Sequence, residues 1–110
     1  MNFNEYQAEA ETTADYPSRT TKDSMTYLGM GLAGEAGEVA NKLKKYLRGD
    51  YILDTARALD LIYEIGDCLW YISEIARSLD FSLEEVAELN IQKLEKRKEQ
   101  QTIKGDGDNR

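Results

Sequence analysis

The chain has 110 residues, 41% hydrophobic and 32% charged, with one proline, a balance that fits one helix-favouring globular domain and leaves a single copy only a small core. Its net charge of −7 and the lack of any histidine argue against non-specific nucleic-acid binding and against histidine-based acid, base or zinc chemistry. No run approaches the roughly 20 apolar residues of a membrane span, MNFNEYQAEAE is not a signal-peptide pattern and Cys68 is the lone cysteine, so the expectation is a cytoplasmic protein with neither a membrane nor a nucleic-acid partner.

The first predicted element is a short helix over residues 3 to 11, capped by Asn2 or Asn4 and ended by the proline-containing loop TTADYPSRTT. Residues 1–21 therefore read as an N-terminal helix and loop. A long second helix runs from about Lys22 to Arg48 through Leu28, Leu32, Val39, Leu43, Tyr46 and Leu47, and Gly49 closes it after basic Lys44, Lys45 and Arg48. Asp54 offers the N-cap of a third helix that reaches Leu79. Ser82 with Glu85 forms a capping box for a fourth, continuing to about Gln100, and the polar residues 102–110 read as a flexible tail. No strand-like alternation appears, so the fold class is all-α: one domain over 1–110, with the second and third helices packed antiparallel across their short connection.

Two of these helices carry acids inside their apolar stripes. On a wheel of about 100° per residue, Glu35 lies within roughly 20° of the line through Leu28 and Tyr46, with Glu38 about 60° away. Glu64 falls between Leu61 on one side and Cys68 and Tyr71 on the other, with Asp67 about 60° further round. An isolated E-x-x-E or E-x-x-D is ordinarily a solvated face, but an ionised carboxylate within an apolar stripe is costly unless paired or metal-bound. Basic residues are scarce nearby: none falls between Asp60 and Glu74, and Lys42, Lys44 and Lys45 lie beyond the first pair. Antiparallel packing brings the two pairs together, and at about 5 Å with an effective dielectric near 20 each close pair repels by roughly 3 kcal/mol, so protonation or a bound cation is required. Oxygen-only donors select a hard ion, Mg²⁺ with Mn²⁺ as the alternative. Gly34 and Gly37 each cost about 1 kcal/mol relative to alanine in a helix, an expense explained if a neighbouring helix or a ligand approaches the backbone beside the acids.

In the fourth helix Asn90 lies close to the line of Leu83 and Leu94, and Lys93 and Arg97 share its flank, where they could hold phosphate oxygens; a solvated KLEKRKE surface is the plain alternative. Tyr16, Tyr27, Trp70 and Tyr71 are candidates for stacking on a nucleotide base, with Trp70, opposite Leu61 on its helix, better suited to a subunit contact. Apolar side chains cover nearly half the circumference of the third helix, more than one small neighbour would bury, which points to self-association.

The segments GLAGEAGEVANKLKK, EIGDCLWYISEIARSL and SLEEVAELNIQKLEKR closely resemble the MazG-like all-α nucleoside triphosphate pyrophosphohydrolases, relatives of the dimeric dUTPases and dCTP pyrophosphatases, over residues 25 to 97. That family carries E-x-x-E followed by E-x-x-D, matched here by Glu35, Glu38, Glu64 and Asp67. The resemblance implies that these four acids are catalytic and bind Mg²⁺. It implies that Asn90, Lys93 and Arg97, matching an N-x-x-K-x-x-x-R segment, reach the triphosphate. TADYP resembles the region that closes over the nucleotide, which brings in Tyr16 beside Tyr71 as substrate-binding candidates. It further implies a four-helix core completed by dimerisation, as a homodimer or a tetramer, and cleavage of a (deoxy)nucleoside triphosphate to monophosphate and pyrophosphate. A phosphoribosyl-ATP pyrophosphohydrolase would use the same acids, and a non-catalytic helical interaction module would need no metal.

Overall fold

A computed structural model describes residues 1–18 and 20–110; Arg19, in the predicted TTADYPSRTT loop, lies outside the described residues. Four helices and no strand are present among the described residues: α1 (Phe3–Glu11), α2 (Thr21–Arg48), α3 (Thr55–Ser78) and α4 (Leu83–Glu99). Each begins where a short polar side chain accepts an otherwise unpaired backbone N–H. Asn2 takes the N–H of Glu5 at 2.8 Å and Glu5 returns the bond, a reciprocal box. Thr20, Asp54 and Ser82 cap the other three by accepting from Asp23, Arg57 and Glu85 at 3.1, 2.9 and 3.0 Å. Gly49, at φ 89°, ends α2 in the left-handed conformation that costs glycine nothing.

The long pair α2 and α3 forms the main packed unit, and α1 and α4 pack on α3 and on each other without touching α2. Going up α2 from Gly31 to Lys42, the partners on α3 go down from Tyr71 to Glu64. The close approach falls at Gly31, where a Cβ would run into the Tyr71 ring; a Cβ at Gly34 or Gly37 would meet nothing within 4 Å. The glycines beside the acids therefore face open space, and the one that admits a neighbour lies a turn earlier. Tyr51, after α2, donates its hydroxyl to the Lys42 carbonyl, and Arg57 lies 4.5 Å over the Tyr51 ring, pinning the connection to the helix ends it joins.

The apolar core is thin: Ala10, Leu28, Leu61, Ala76 and Leu83 are its buried members. Leu59, Ile62, Tyr63 and Ile65 of α3 and Leu43, Tyr46 and Leu47 of α2 remain exposed. The radius of gyration is 16.7 Å, against about 13 Å for a compact chain of this length. The accessible surface is 8212 Å², about 2,000 Å² above that of a compact protein of this mass. No helix is long and apolar enough to cross a membrane among the described residues.

After Gln100 the chain turns back on α4. Arg110 donates to the carbonyls of Thr102, Gly107 and Ile103, and Asp108 meets Lys93 and Arg97.

Candidate active site

Helical periodicity carries Glu35 from α2 and Glu64 and Asp67 from α3 to one place, where a carboxylate oxygen of each lies within 4.8 Å of the other two. Glu35 and Glu64 are partly buried and Asp67 is exposed. Glu38, one turn beyond Glu35, is exposed and stands outside this group of three. Lys42 does reach the cluster, its Nζ 3.8 Å from Glu64. The sequence reads basic residues as scarce here and sets Lys42 beyond the first acid pair; two turns above Glu35, it meets Glu64 on α3. One loosely paired ammonium still leaves excess negative charge.

Burial first, and then Asp67, a hydrogen bond with Glu64 and the charges of Glu64 and Glu38, push the Glu35 carboxyl above its ordinary value. The same field acts on its neighbours. Burial with Glu35, Asp67 and Glu64 raises the Cys68 thiol, which disfavours the thiolate needed for nucleophilic chemistry. Burial and Asp67 raise the Tyr6 hydroxyl.

The donor set fits a divalent cation. Six oxygens about 2.1 Å from a Mg²⁺ ion stand about 3 to 4 Å from their neighbours, so carboxylates already within 4.8 Å need close only slightly. Three hard oxygen donors without nitrogen or sulfur favour such an ion over zinc.

Glu35 and Asp67 form one side of a cavity of about 310 Å³ whose other walls are Thr13, Trp70 and Tyr71. Tyr71 thus lines the same cavity as two of the acids. Trp70 joins it, in T-shaped contact at 5.0 Å, because α1 and the following loop cover the side of α3 that the sequence leaves open to a subunit. The indole Nε1 donates to Thr13 Oγ1 at 2.8 Å and to the Ala10 carbonyl at 3.2 Å. Tyr16 does not line the cavity; it stacks on Tyr27 and stands edge-on to Trp70 behind the wall.

The α4 candidates are not brought to the acids within one chain. Asn90 is exposed beside an opening of about 430 Å³ with Phe81, Val86, Leu89 and Lys93. Lys93 Nζ is 3.3 Å from Asp108, and Arg97 Nη2 donates to the Asp108 carboxylate at 3.2 Å and to its carbonyl at 3.1 Å. Arg97 is buried, and its Nε has no partner among the described residues.

One residue at the site, Thr13, and one behind its wall, Glu74, escaped the sequence. Thr13 sits in a loop without periodicity. Glu74, fully buried on α3, lies seven residues and about 20° on the wheel from Asp67, with Arg77 at the pairing distance i+3, and that spacing was the available signal.

An all-α chain in which two helices gather three carboxylates beside an aromatic-walled cavity has the makings of a divalent-metal hydrolase site. The chain belongs to the MazG nucleotide pyrophosphohydrolase domain family, whose model matches residues 23–102. It is 44% identical over 114 residues to the Gene 37 protein of Mycobacterium phage L5, an alignment covering all of both chains, and that name states no activity. No solved structure matches.

Proposed function

We propose that the chain hydrolyses a (deoxy)nucleoside triphosphate between the α and β phosphates, with Glu35, Glu64 and Asp67 holding Mg²⁺ or, in its place, Mn²⁺. The observation that carries this is the convergence of three carboxylates from two helices, with Glu35 held partly buried among like charges, in a chain of this family. A Mg²⁺ ion held by Glu35, Glu64 and Asp67 would supply the positive charge that lets these acids ionise together, and would offset phosphate charge and acidify the attacking water. Glu38, exposed and outside the converged three, is left free to accept that water's proton. The water oxygen bonds to the α-phosphorus, the bond to the bridging oxygen breaks, and pyrophosphate leaves with the electron pair. Tyr71 and Trp70 wall the nucleoside end.

Lys93 and Arg97 neutralise the β and γ phosphates, and Asn90 orients an oxygen; all three approach in the assembled homodimer, since α4 does not touch α2 in one chain. The antiparallel α2 and α3 of two copies complete a four-helix core, as a homodimer or as a tetramer of paired dimers. The surplus of about 2,000 Å² per chain over a compact monomer falls in the range that obligate dimers hide. The setting proposed is cytoplasmic.

Standard ribo- and deoxynucleoside triphosphates, with phosphoribosyl-ATP alongside, offered with Mg²⁺ and read for pyrophosphate against phosphate, test the scheme. Pyrophosphate should appear, vanish with EDTA and fall by orders of magnitude in Glu64→Gln. Release of single phosphates, or full activity in Glu35→Gln, Glu38→Gln and Glu64→Gln alike, contradicts it.

A further inference from the structure

The metal scheme gives no role to Glu74, whose side chain is 0% exposed. A buried carboxylate is tenable only when fully partnered, and its partners come from its own helix and from the N-terminal arm. Arg77 donates from Nε to Glu74 Oε2 at 2.8 Å and from Nη2 to Oε1 at 3.0 Å. The Tyr16 hydroxyl donates to the same Oε1 at 3.1 Å and accepts from Arg77 Nη2 at 3.2 Å, closing a ring of hydrogen bonds. Arg77 also reaches Glu11 at 3.4 Å, at the end of α1.

This ring stands behind one wall of the candidate site. Tyr16 stacks on Tyr27 at 5.4 Å and sets its ring edge-on to Trp70 at 6.2 Å. Thr13 and the Ala10 carbonyl hold the indole Nε1. The arm from Ala10 to Tyr16 therefore holds Trp70 both by its Nε1 hydrogen and by ring contact, and Trp70 shares the cavity with Glu35 and Asp67.

We propose that Tyr16 and Glu74 are positioning residues: through the half-buried hydrogen-bonded ring centred on the buried Glu74 carboxylate they fix the Trp70 indole as the wall against which the nucleoside end of the substrate lies, an inference that rests on the proposed pyrophosphohydrolase activity. The acids claim the phosphate end of the cavity, so what remains for the nucleoside is the Trp70 and Tyr71 side, two aromatic rings in T-shaped contact that offer a face for a base to stack on. The Tyr16 hydroxyl is committed to Glu74 and acts on substrate only through Trp70.

Trp70 is the only tryptophan in the chain, so intrinsic fluorescence reports this wall alone. Tyr16→Phe keeps the stacked ring and removes the hydroxyl. It should make Trp70 more accessible to acrylamide and raise KM for the best nucleoside triphosphate about fivefold, as expected for one lost hydrogen bond, with kcat within about twofold. The Mg²⁺-induced rise in melting temperature should be unchanged. Glu74→Gln should move both readouts the same way and further; if it fails to fold, Tyr16→Phe decides alone. A Tyr16→Phe protein that melts lower while its KM and Trp70 quenching stay at wild-type values overturns the proposal, because the ring would then be scaffolding only. A wild-type protein that turns over no nucleoside triphosphate sinks the activity instead, and the quenching measurement still judges the anchor: unchanged quenching in Tyr16→Phe overturns it, raised quenching upholds it.

Discussion

Glu35 holds its proton more tightly in the folded chain than its ordinary value of 4.5 allows, because burial and three neighbouring acids oppose its charge. A carboxyl raised in this way contributes stability that is complete below the unfolded value and is lost as pH rises through the folded one. In EDTA the melting temperature of the wild-type protein should therefore fall above about pH 4.5 more steeply than that of Glu35→Gln, and saturating Mg²⁺ should remove the difference. A differential scanning fluorimetry series at several pH values reads it; identical slopes in the two proteins contradict the proposed repulsion. At neutral pH without metal, Glu35→Gln should melt higher by a few degrees, relieved of repulsion of order 1 kcal/mol or more, while losing nearly all turnover.

At the scale of the elements, α2 and α3 carry a sharp test of which glycine matters. Gly31→Ala gains about 1 kcal/mol of helix propensity but drives a methyl group into the Tyr71 ring, a clash costing about 1–3 kcal/mol, so the net effect should be destabilising and should disturb the cavity wall. Gly34→Ala and Gly37→Ala meet no neighbour within 4 Å and should each stabilise by up to about 1 kcal/mol. Urea midpoints separate the two outcomes, and the reverse order would contradict this packing. In the tail, Asp108→Asn weakens the hold on Lys93 and Arg97 of α4, and KM should fall by no more than about fivefold, since the Asp108 carboxylate is exposed and screened by solvent; an unchanged or raised KM contradicts phosphate binding by these cations. The helices and their caps were legible because capping residues and a period of 3.6 are local properties: Asn2, Asp54, Ser82 and Gly49 act where the sequence puts them. The same period turned Glu35 and Glu64 inward and set Glu38 and Asp67 about 60° round; it did not separate Asp67, which joins Glu35 and Glu64, from Glu38, which stands outside that group. It could not foretell that Gly31 rather than Gly34 takes the close contact, since that depends on the register between two helices. Nor could it place Thr13 and Tyr16, which reach Trp70 and Glu74 from a loop whose path no periodicity records.

The whole molecule is underfilled as a single copy. Leu59 and Ile62 of α3 stay about half exposed, at 48% and 58%, and the chain is wider than compact packing of its length gives. The account predicts sedimentation as a dimer or larger, with Ile62→Lys shifting the population toward monomer and lowering the melting temperature; a wild-type monomer at micromolar concentration would contradict it. The proposed self-association and the proposed metal site would be tied together, because the acids sit on the same two helices whose outer apolar residues stay exposed. The most direct measurement of the central claim is a thermal melt of the wild-type protein at neutral pH in EDTA and in millimolar Mg²⁺. The midpoint should rise with Mg²⁺, and the rise should be lost in Glu64→Gln. A midpoint that does not move with Mg²⁺ or Mn²⁺ up to millimolar concentration would contradict the claim and leave a helical interaction module with an acidic face.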